Sequence, residues 1–186
     1  KNPKNVQDFR LLWKHSLEVA ACSQAITNYI VYQQIDELFL AGLLHDLGRF
    51  IILQYFPEKF NEIQHEMITN NTALLDAEIS ILGYTHESIG KAVAEIWHFP
   101  DCLCDVIGSH HHPVSGMNHW LLKSLVHIAD VLPKKIHREN ISEENITNDI
   151  SREVWEEFKT YFTDFDSLKK YFMIELKNVE YFMQTV

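Results

Sequence analysis

The chain has 186 residues, of which 46% are hydrophobic and 12% aromatic, and its formal net charge is −10. This length favours a single domain, and the composition excludes an intrinsically disordered segment. The negative charge would repel a polyphosphate backbone, so we expect no long nucleic acid as a partner, whereas a small phosphate ester or nucleotide is compatible with it.

Apolar residues recur every three or four positions along the chain, which is the spacing of helices packed on one another. The pattern predicts an all-α helical bundle with helices at about 5–29, 35–55, 58–69, 74–82, 86–98, 101–112, 117–131, 142–162 and 166–184. We find no apolar run of the roughly 20 residues that cross a bilayer and no signal peptide. We therefore expect a soluble, cytoplasmic protein with no membrane partner.

Composition divides the chain into a main helical domain, residues 1–133, and a C-terminal helical hairpin, residues 134–186, packed on or extending the same domain. The polar stretch from Lys134 to Asn148 is the predicted linker between them. Aromatic side chains recur through the hairpin. Such a stripe is typical of a core or of a self-association face, so a homodimer is an open alternative.

The stretch Gly42-Leu-Leu-His-Asp-Leu-Gly-Arg49 places two metal-ligand types inside an otherwise apolar helix. Adjacent helical residues diverge by about 100°, so His45 and Asp46 can flank a single point. Histidine supplies a neutral nitrogen and aspartate can bridge two cations, while Gly48 allows close approach of backbone or ligand. Considered alone, the pair is more typical of hydrogen bonding at a helix end.

Three consecutive histidines in Ser109-His-His-His-Pro113 end a predicted helix. The helix dipole favours a cationic histidine at this end, which explains one of them but not three. His15, His86 and Asp130 complete a set of nitrogen and oxygen donors. The order of these donors along the chain, together with the preceding His-Asp pair, points to a metal site.

That order, His, His-Asp, His, His-His and Asp, resembles the HD superfamily of metal-dependent phosphohydrolases, and most nearly its HDOD subfamily. Five separated stretches carry the resemblance: Leu12-Trp-Lys-His-Ser16, Ala41-Gly-Leu-Leu-His-Asp-Leu-Gly-Arg49, Glu78 with Gly83 and His86, Trp97-His-Phe-Pro100, and His110-His-His-Pro113. The resemblance implies an HD-domain-like bundle, a binuclear centre of divalent iron or manganese, and hydrolysis of phosphate esters. By motif, the implied ligands are His15, His45, Asp46, His86, His110, His111 and Asp130.

In this scheme Asp46 bridges the two metals. Arg49 lies just beyond the metal pair and is a candidate for holding a phosphate oxygen, because two metals can activate a water and clamp a phosphoryl group. We name Asp46 and Arg49 as the candidate catalytic residues, although a surface salt bridge explains Arg49 equally well. Glu78 is undecided between a base and a residue that orients a ligand, and Glu87 is interpreted as a helix cap.

Two functions stay open. HDOD domains resemble the enzymes in fold but are usually regarded as output or interaction modules of bacterial signalling proteins, and the Gly-Tyr-Pro signature of cyclic-di-GMP phosphodiesterases is missing after His111. We favour a signalling domain with a retained metal site, whose partners are a protein or other domains of a signalling protein. The alternative is an active metal-dependent phosphohydrolase.

A rival metal site is also open. Glu62 with His65, and Glu95 with His98, have the i, i+3 spacing found in di-iron carboxylate bundles. Such pairs arise readily in a chain rich in glutamate and histidine, so we favour the first site.

Overall fold

The computed structural model describes residues 3–30, 35–137 and 149–185. These residues are mostly helical and include no strand, which confirms the predicted all-α fold. The main body contains α1 (Pro3–Ile26), α2 (Ile35–Leu44), α3 (Leu47–Tyr55), α4 (Pro57–Asn70), α5 (Leu74–Leu82), α6 (His86–Ile96), α7 (Asp101–Ile107) and α8 (Trp120–Ile136). The C-terminal part contains α9 (Arg152–Phe158), a 3-10 turn (Lys159–Tyr161) and α10 (Phe165–Thr185).

The predicted single helix at 35–55 is wrong, because the chain breaks at His45 and Asp46 into α2 and α3. In a continuous helix these side chains would diverge by about 100°. Asp46 instead has φ −93° and ψ 19°, which takes it out of the helical conformation. Both side chains are buried at this turn.

The predicted linker is also wrong at its start. The last helix of the main body, α8, continues through Pro133 to Ile136, so Lys134 is helical. Pro133 lies inside α8 and has no amide hydrogen to donate to the carbonyl oxygen of Ala129, yet the helix continues past it. The remainder of the predicted linker, residues 138–148, lies outside the described residues, as does the start of the predicted helix at 142–162.

The main hydrophobic core lies between α1, α2, α8 and the C-terminal helices. Its buried members include Val19, Ile26, Leu38, Leu125, Ile128, Leu132, Val154, Trp155, Phe158, Phe162, Leu168 and Phe172. The described part of the C-terminal aromatic stripe is therefore mainly core, and α10 packs along α1. Tyr161, Tyr171 and Tyr181 are exposed, and the side chain of Phe182 lies outside the described residues.

Glycine allows α3 and α6 to pack backbone to backbone. A Cβ atom on Gly48 would lie 1.9 Å from the carbonyl oxygen of His86, and one on Gly90 would lie 2.9 Å from the amide nitrogen of Gly48. Gly48 thus serves a close approach of backbone, which fixes the first residue of α6 against α3.

The stretch Asp36–Tyr55 is long and apolar enough by composition to cross a membrane, contrary to the expectation from sequence that no such run exists. In this fold it is two helices, and the break carries His45 and Asp46, which are both buried against other helices. The arrangement is consistent with the core helices of a soluble protein.

Candidate metal centre

Seven nitrogen and oxygen donors converge in the interior of the main body. They come from α1, the turn between α2 and α3, the start of α6, the turns after α7, and α8. Their ligand atoms form two sets, each within 4.8 Å: a first group of Asp46, His86, His110 and His111, and a second group of His15, His45 and Asp130. The structure therefore brings together all seven residues that the resemblance implies as ligands.

Backbone and carboxylate acceptors orient three of the rings. The Nδ1–H of His45 donates to the carbonyl oxygen of Gly42 at 2.7 Å, and that of His110 donates to Val106 at 3.3 Å. Because a carbonyl oxygen only accepts, Nδ1 carries the proton and the lone pair lies on Nε2. His86 is held in the same way by Glu78, whose Oε2 lies 2.8 Å from its Nδ1.

The opposite ring nitrogens have no hydrogen-bond partner in the part of the chain that the structure describes. Among the described residues, buried Nε2 atoms without one belong to His45, His86, His110 and His111. Buried polar atoms are nearly always satisfied, so four such atoms in one place are unusual. Imidazoles with one nitrogen anchored and the other free are what a metal ligand set requires, and the donors therefore fit divalent metal.

Asp46 lies between the two groups. Its Oδ1 is 3.3 Å from Nε2 of His86 and 3.8 Å from Nε2 of His110. Its Oδ2 is 3.6 Å from Nε2 of His45 and 3.7 Å from Nε2 of His15. Each carboxylate oxygen of Asp46 thus faces a different group of donors.

Two basic side chains contact the carboxylates. Nη1 of Arg49 lies 2.9 Å from Oδ2 of Asp46, and Nζ of Lys134 lies 2.8 Å from Oδ1 of Asp130. Nε2 of His15 is 2.9 Å from the same oxygen of Asp130. Arg49 is therefore paired with a candidate ligand, and its salt bridge is part of the site.

The protonation states suit a metal centre. Burial raises the pKa of Asp46 and of Asp130, but the adjacent cations and histidines outweigh it and hold both pKa values well below their usual range. Burial lowers the pKa of His45 and of His110, and lowers that of His111 to about 3. At neutral pH the carboxylates are ionised and these imidazoles are neutral, as metal binding requires.

Glu78 and Glu87 hold the histidines from outside the two groups. Oε2 of Glu78 accepts from the backbone amide of His86 at 2.8 Å as well as from its ring, which supports the orienting role over that of a base. The interpretation of Glu87 as a helix cap is wrong. Thr85 caps α6 through its hydroxyl, and Oε1 of Glu87 accepts from the backbone amide of His111 at 2.9 Å.

His127 is a further residue that contacts the surroundings of the donors. Its Nδ1–H donates to the carbonyl oxygen of His110 at 2.9 Å, and its Nε2 accepts from the amide of Ser151 at 3.0 Å. Both partners are backbone groups far away in the chain. His127 thus joins α8, the turn after α7 and the residue before α9.

Two openings reach the donors. A groove of about 450 Å³, here called the wide groove, is lined by Ala73, Leu74, Leu75, Asp76, His111, His112, His127, Asp130, Val131, Lys134 and Asp149. A smaller cavity of about 260 Å³, the basic cavity, is lined by Asp8, Leu11, Leu12, His15, Arg49, Phe60, Gln64 and Lys134. Both groups of donors are therefore accessible to a small ligand.

The rival di-iron site is wrong. The side chains of Glu62 and Glu95 are 52% and 57% exposed, whereas a di-iron centre needs carboxylates directed into the bundle. Within the described ranges, neither pair belongs to a cluster of potential ligands.

Known proteins share this fold. An HDOD domain protein of unknown function from Geobacter sulfurreducens superposes with a TM-score of 0.66 and 23% identity over 90% of this chain and 58% of that one. A candidate phosphohydrolase from Shewanella amazonensis has a TM-score of 0.62 and 19% identity, over 88% of this chain and 62% of that one. A candidate signal transduction protein from Marinobacter aquaeolei has a TM-score of 0.63 and 19% identity, over 91% of this chain and 39% of that one. Identities this low show similarity of fold alone.

Sequence comparison assigns the family. An uncharacterized protein of Treponema pallidum is 35% identical over 81 residues, which are 42% of this chain and 15% of that protein. The chain thus spans less than two thirds of each of these relatives. The family model of the HDOD domain matches residues 1–113, which carry six of the seven converging donors. Because that match covers more than half of the sequence, the chain belongs to the HDOD domain family.

Proposed function

We propose that this chain is a metal-binding output domain of a signalling protein, and that its seven donors hold two divalent ions, iron or manganese. The observation that carries the proposal is the set of four buried imidazole nitrogens around Asp46 that find no partner within the described ranges. Buried polar atoms left unsatisfied cost stability, so a cluster of them is most simply explained by a ligand that they bind.

The two groups of donors correspond to one ion each in this proposal. Oδ1 of Asp46 with the three histidines of the first group would hold one ion, and Oδ2 of Asp46 with the second group would hold the other. Mixed nitrogen and carboxylate donors suit first-row divalent metals better than calcium or magnesium, which take oxygen ligands.

The role in signalling is supported by the family and by the relatives. HDOD domains resemble HD enzymes but are usually regarded as output modules, and one structural neighbour is a candidate signal transduction protein of which this chain matches 39%. An output domain contacts other domains or a partner protein, and the metal centre would then bind a small phosphate-containing ligand that alters these contacts.

Metal content tests the proposal directly. Protein purified without chelator should contain about two ions per chain by elemental analysis, as the two groups of donors require. Asp46→Ala removes the shared ligand and should lose both ions, whereas His86→Ala should retain part of the metal. Asp105→Ala is the matched control, because this carboxylate pairs with Lys91 and His119 outside the centre. A filled site in a folded Asp46→Ala protein would contradict the assignment.

A second function, hydrolysis of a phosphate ester, is favoured by the two openings. The wide groove reaches His111 and Asp130, and the basic cavity reaches His15 and Arg49, so an ester and a water have access to both groups. When bound, two divalent ions would polarise the phosphoryl group and activate water. Arg49 would hold a phosphate oxygen through its guanidinium.

Turnover separates the two functions. Nucleotides and activated phosphodiesters are assayed with manganese or ferrous iron, and Arg49→Ala should lower turnover while the protein retains its metal. If no ester is hydrolysed while metal is bound, the output function stands alone.

A further inference from the structure

The two groups of donors differ in what their atoms already contact. In the first group, Nε2 of each histidine is buried and has no partner among the described residues. In the second group Nε2 of His45 is also without a partner, but Arg49 binds Oδ2 of Asp46, the oxygen that faces this group, and Lys134 binds Oδ1 of Asp130. The cations of the protein itself therefore occupy the oxygens that a second metal ion would use.

This difference makes the two metal sites unequal. An ion in the first group meets lone pairs that have no competing partner, so its binding breaks no hydrogen bond within the chain. An ion in the second group must separate Arg49 and Lys134 from their carboxylates and then lies beside two positive charges. The second ion should bind more weakly unless the two cations find another partner.

The basic cavity offers such a partner site. Arg49 and Lys134 both line it, together with His15 and the amide side chain of Gln64. A guanidinium fork and a flexible ammonium group match the oxygens of an oxoanion. Asp8 is the one acidic side chain among the residues that line the cavity, against two basic ones. At about 260 Å³ the cavity suits a single anionic group better than a whole drug-sized ligand.

We propose that the basic cavity binds phosphate or the phosphate group of a small ester, and that this anion and the second metal ion bind cooperatively. The anion attracts Arg49 and Lys134 away from Asp46 and Asp130, and the freed oxygens then accept the ion. This inference rests on the proposed metal-binding function. Because such coupling is reciprocal, the metal also strengthens the binding of the anion, and the domain responds to the two together.

Titration with Mn²⁺ tests the coupling. Calorimetry on the metal-depleted chain, in chloride and in inorganic phosphate at equal ionic strength, should show one tight and one weak site in chloride. Phosphate should strengthen the weak site by about tenfold, within the range usual for coupled sites, and leave the tight site unchanged. Two sites of equal affinity in chloride would overturn the inference.

Lys134→Met removes the charge and keeps the aliphatic stem. The weak site should then bind Mn²⁺ more tightly in chloride, and the effect of phosphate should shrink. Lys135→Met is the matched control, since this neighbouring lysine pairs with Asp149 and lines neither opening. It should behave as the unaltered chain.

The outcomes separate this inference from the proposed function. If two ions bind and Lys134→Met changes neither the weak site nor the effect of phosphate, the coupling is wrong and the binuclear centre stands. If the folded, unaltered chain binds no metal, both are wrong. Circular dichroism of each variant verifies folding, and Lys134 is half-exposed, so its replacement should leave the fold intact.

Discussion

Replacement of Glu78 by alanine should both destabilise the fold and weaken the metal centre. Glu78 is 1% exposed, and its Oε2 accepts from the backbone amide and from the ring Nδ1–H of His86, each at 2.8 Å. Truncation would leave two buried donors without an acceptor. Each unsatisfied buried donor costs about 1–3 kcal/mol, so the free energy of unfolding should fall by about 2–6 kcal/mol.

The same change should lower metal affinity in the first group. Without Glu78 the imidazole of His86 loses the contact that fixes its tautomer and orientation. Loss of such an orienting partner typically costs about 10–100-fold in metal affinity. Glu78→Gln keeps the size and one acceptor oxygen, so it should leave about one donor unsatisfied and cost about 1–3 kcal/mol.

Two measurements on each variant decide the matter: urea denaturation of the metal-depleted protein, and Mn²⁺ titration of the folded protein. Glu62→Ala is the control, because its carboxylate is exposed and pairs only with Lys59 among the described residues, and surface changes usually stay within about 0.5 kcal/mol. An unchanged midpoint for Glu78→Ala would refute the hydrogen-bond argument. A lower midpoint with unchanged Mn²⁺ affinity would show that Glu78 is structural and does not position His86.

Two further predictions follow from the buried histidine and the close helix contact. Burial lowers the pKa of His111 from its ordinary value of 6.5 to about 3. Below pH 6.5 the unfolded chain therefore binds more protons than the folded chain, and the free energy of unfolding decreases as the pH is lowered. Between about pH 6.5 and 5 this residue alone should lower the free energy of unfolding of the metal-depleted protein by about 2 kcal/mol. Urea denaturation that gives the same stability across this range would contradict the prediction, as would an equally steep decline in His111→Asn. Gly48→Ala introduces a Cβ atom 1.9 Å from the carbonyl oxygen of His86, and should lower stability by about 1–3 kcal/mol or more and weaken Mn²⁺ binding. A thermal melt and a Mn²⁺ titration that both match those of the unaltered chain would show that α3 and α6 can separate at no cost.

The fold class was predictable from the sequence because helices that pack on one another need apolar residues every three or four positions. The spacing of apolar residues depends only on the local conformation, and the helices lie close to their predicted places. The prediction failed where tertiary contacts override local preference. The apolar pattern of 35–55 favours one helix, but the chain leaves the helical conformation at Asp46, where both His45 and Asp46 enter the buried cluster of donors.

The candidate donors could be named from the sequence because their residue types and their order along the chain form a recognisable pattern. Their division into two groups could not, since it depends on which oxygen of Asp46 faces which ring. The same holds for Glu78 and Glu87, whose partners are a helix start and a backbone amide on another segment.

The sequence by itself determined the kinds of atoms available for the centre: imidazole nitrogens, carboxylate oxygens and a few basic groups. Only the tertiary structure decided which of these atoms are free and which are already paired. Lys134 carries no motif and lies in a stretch predicted as a linker, yet α8 continues past Asp130 and places the ammonium group on its carboxylate. Pairing of this kind depends on distances of a few ångströms between separate segments, and the local sequence does not determine such distances.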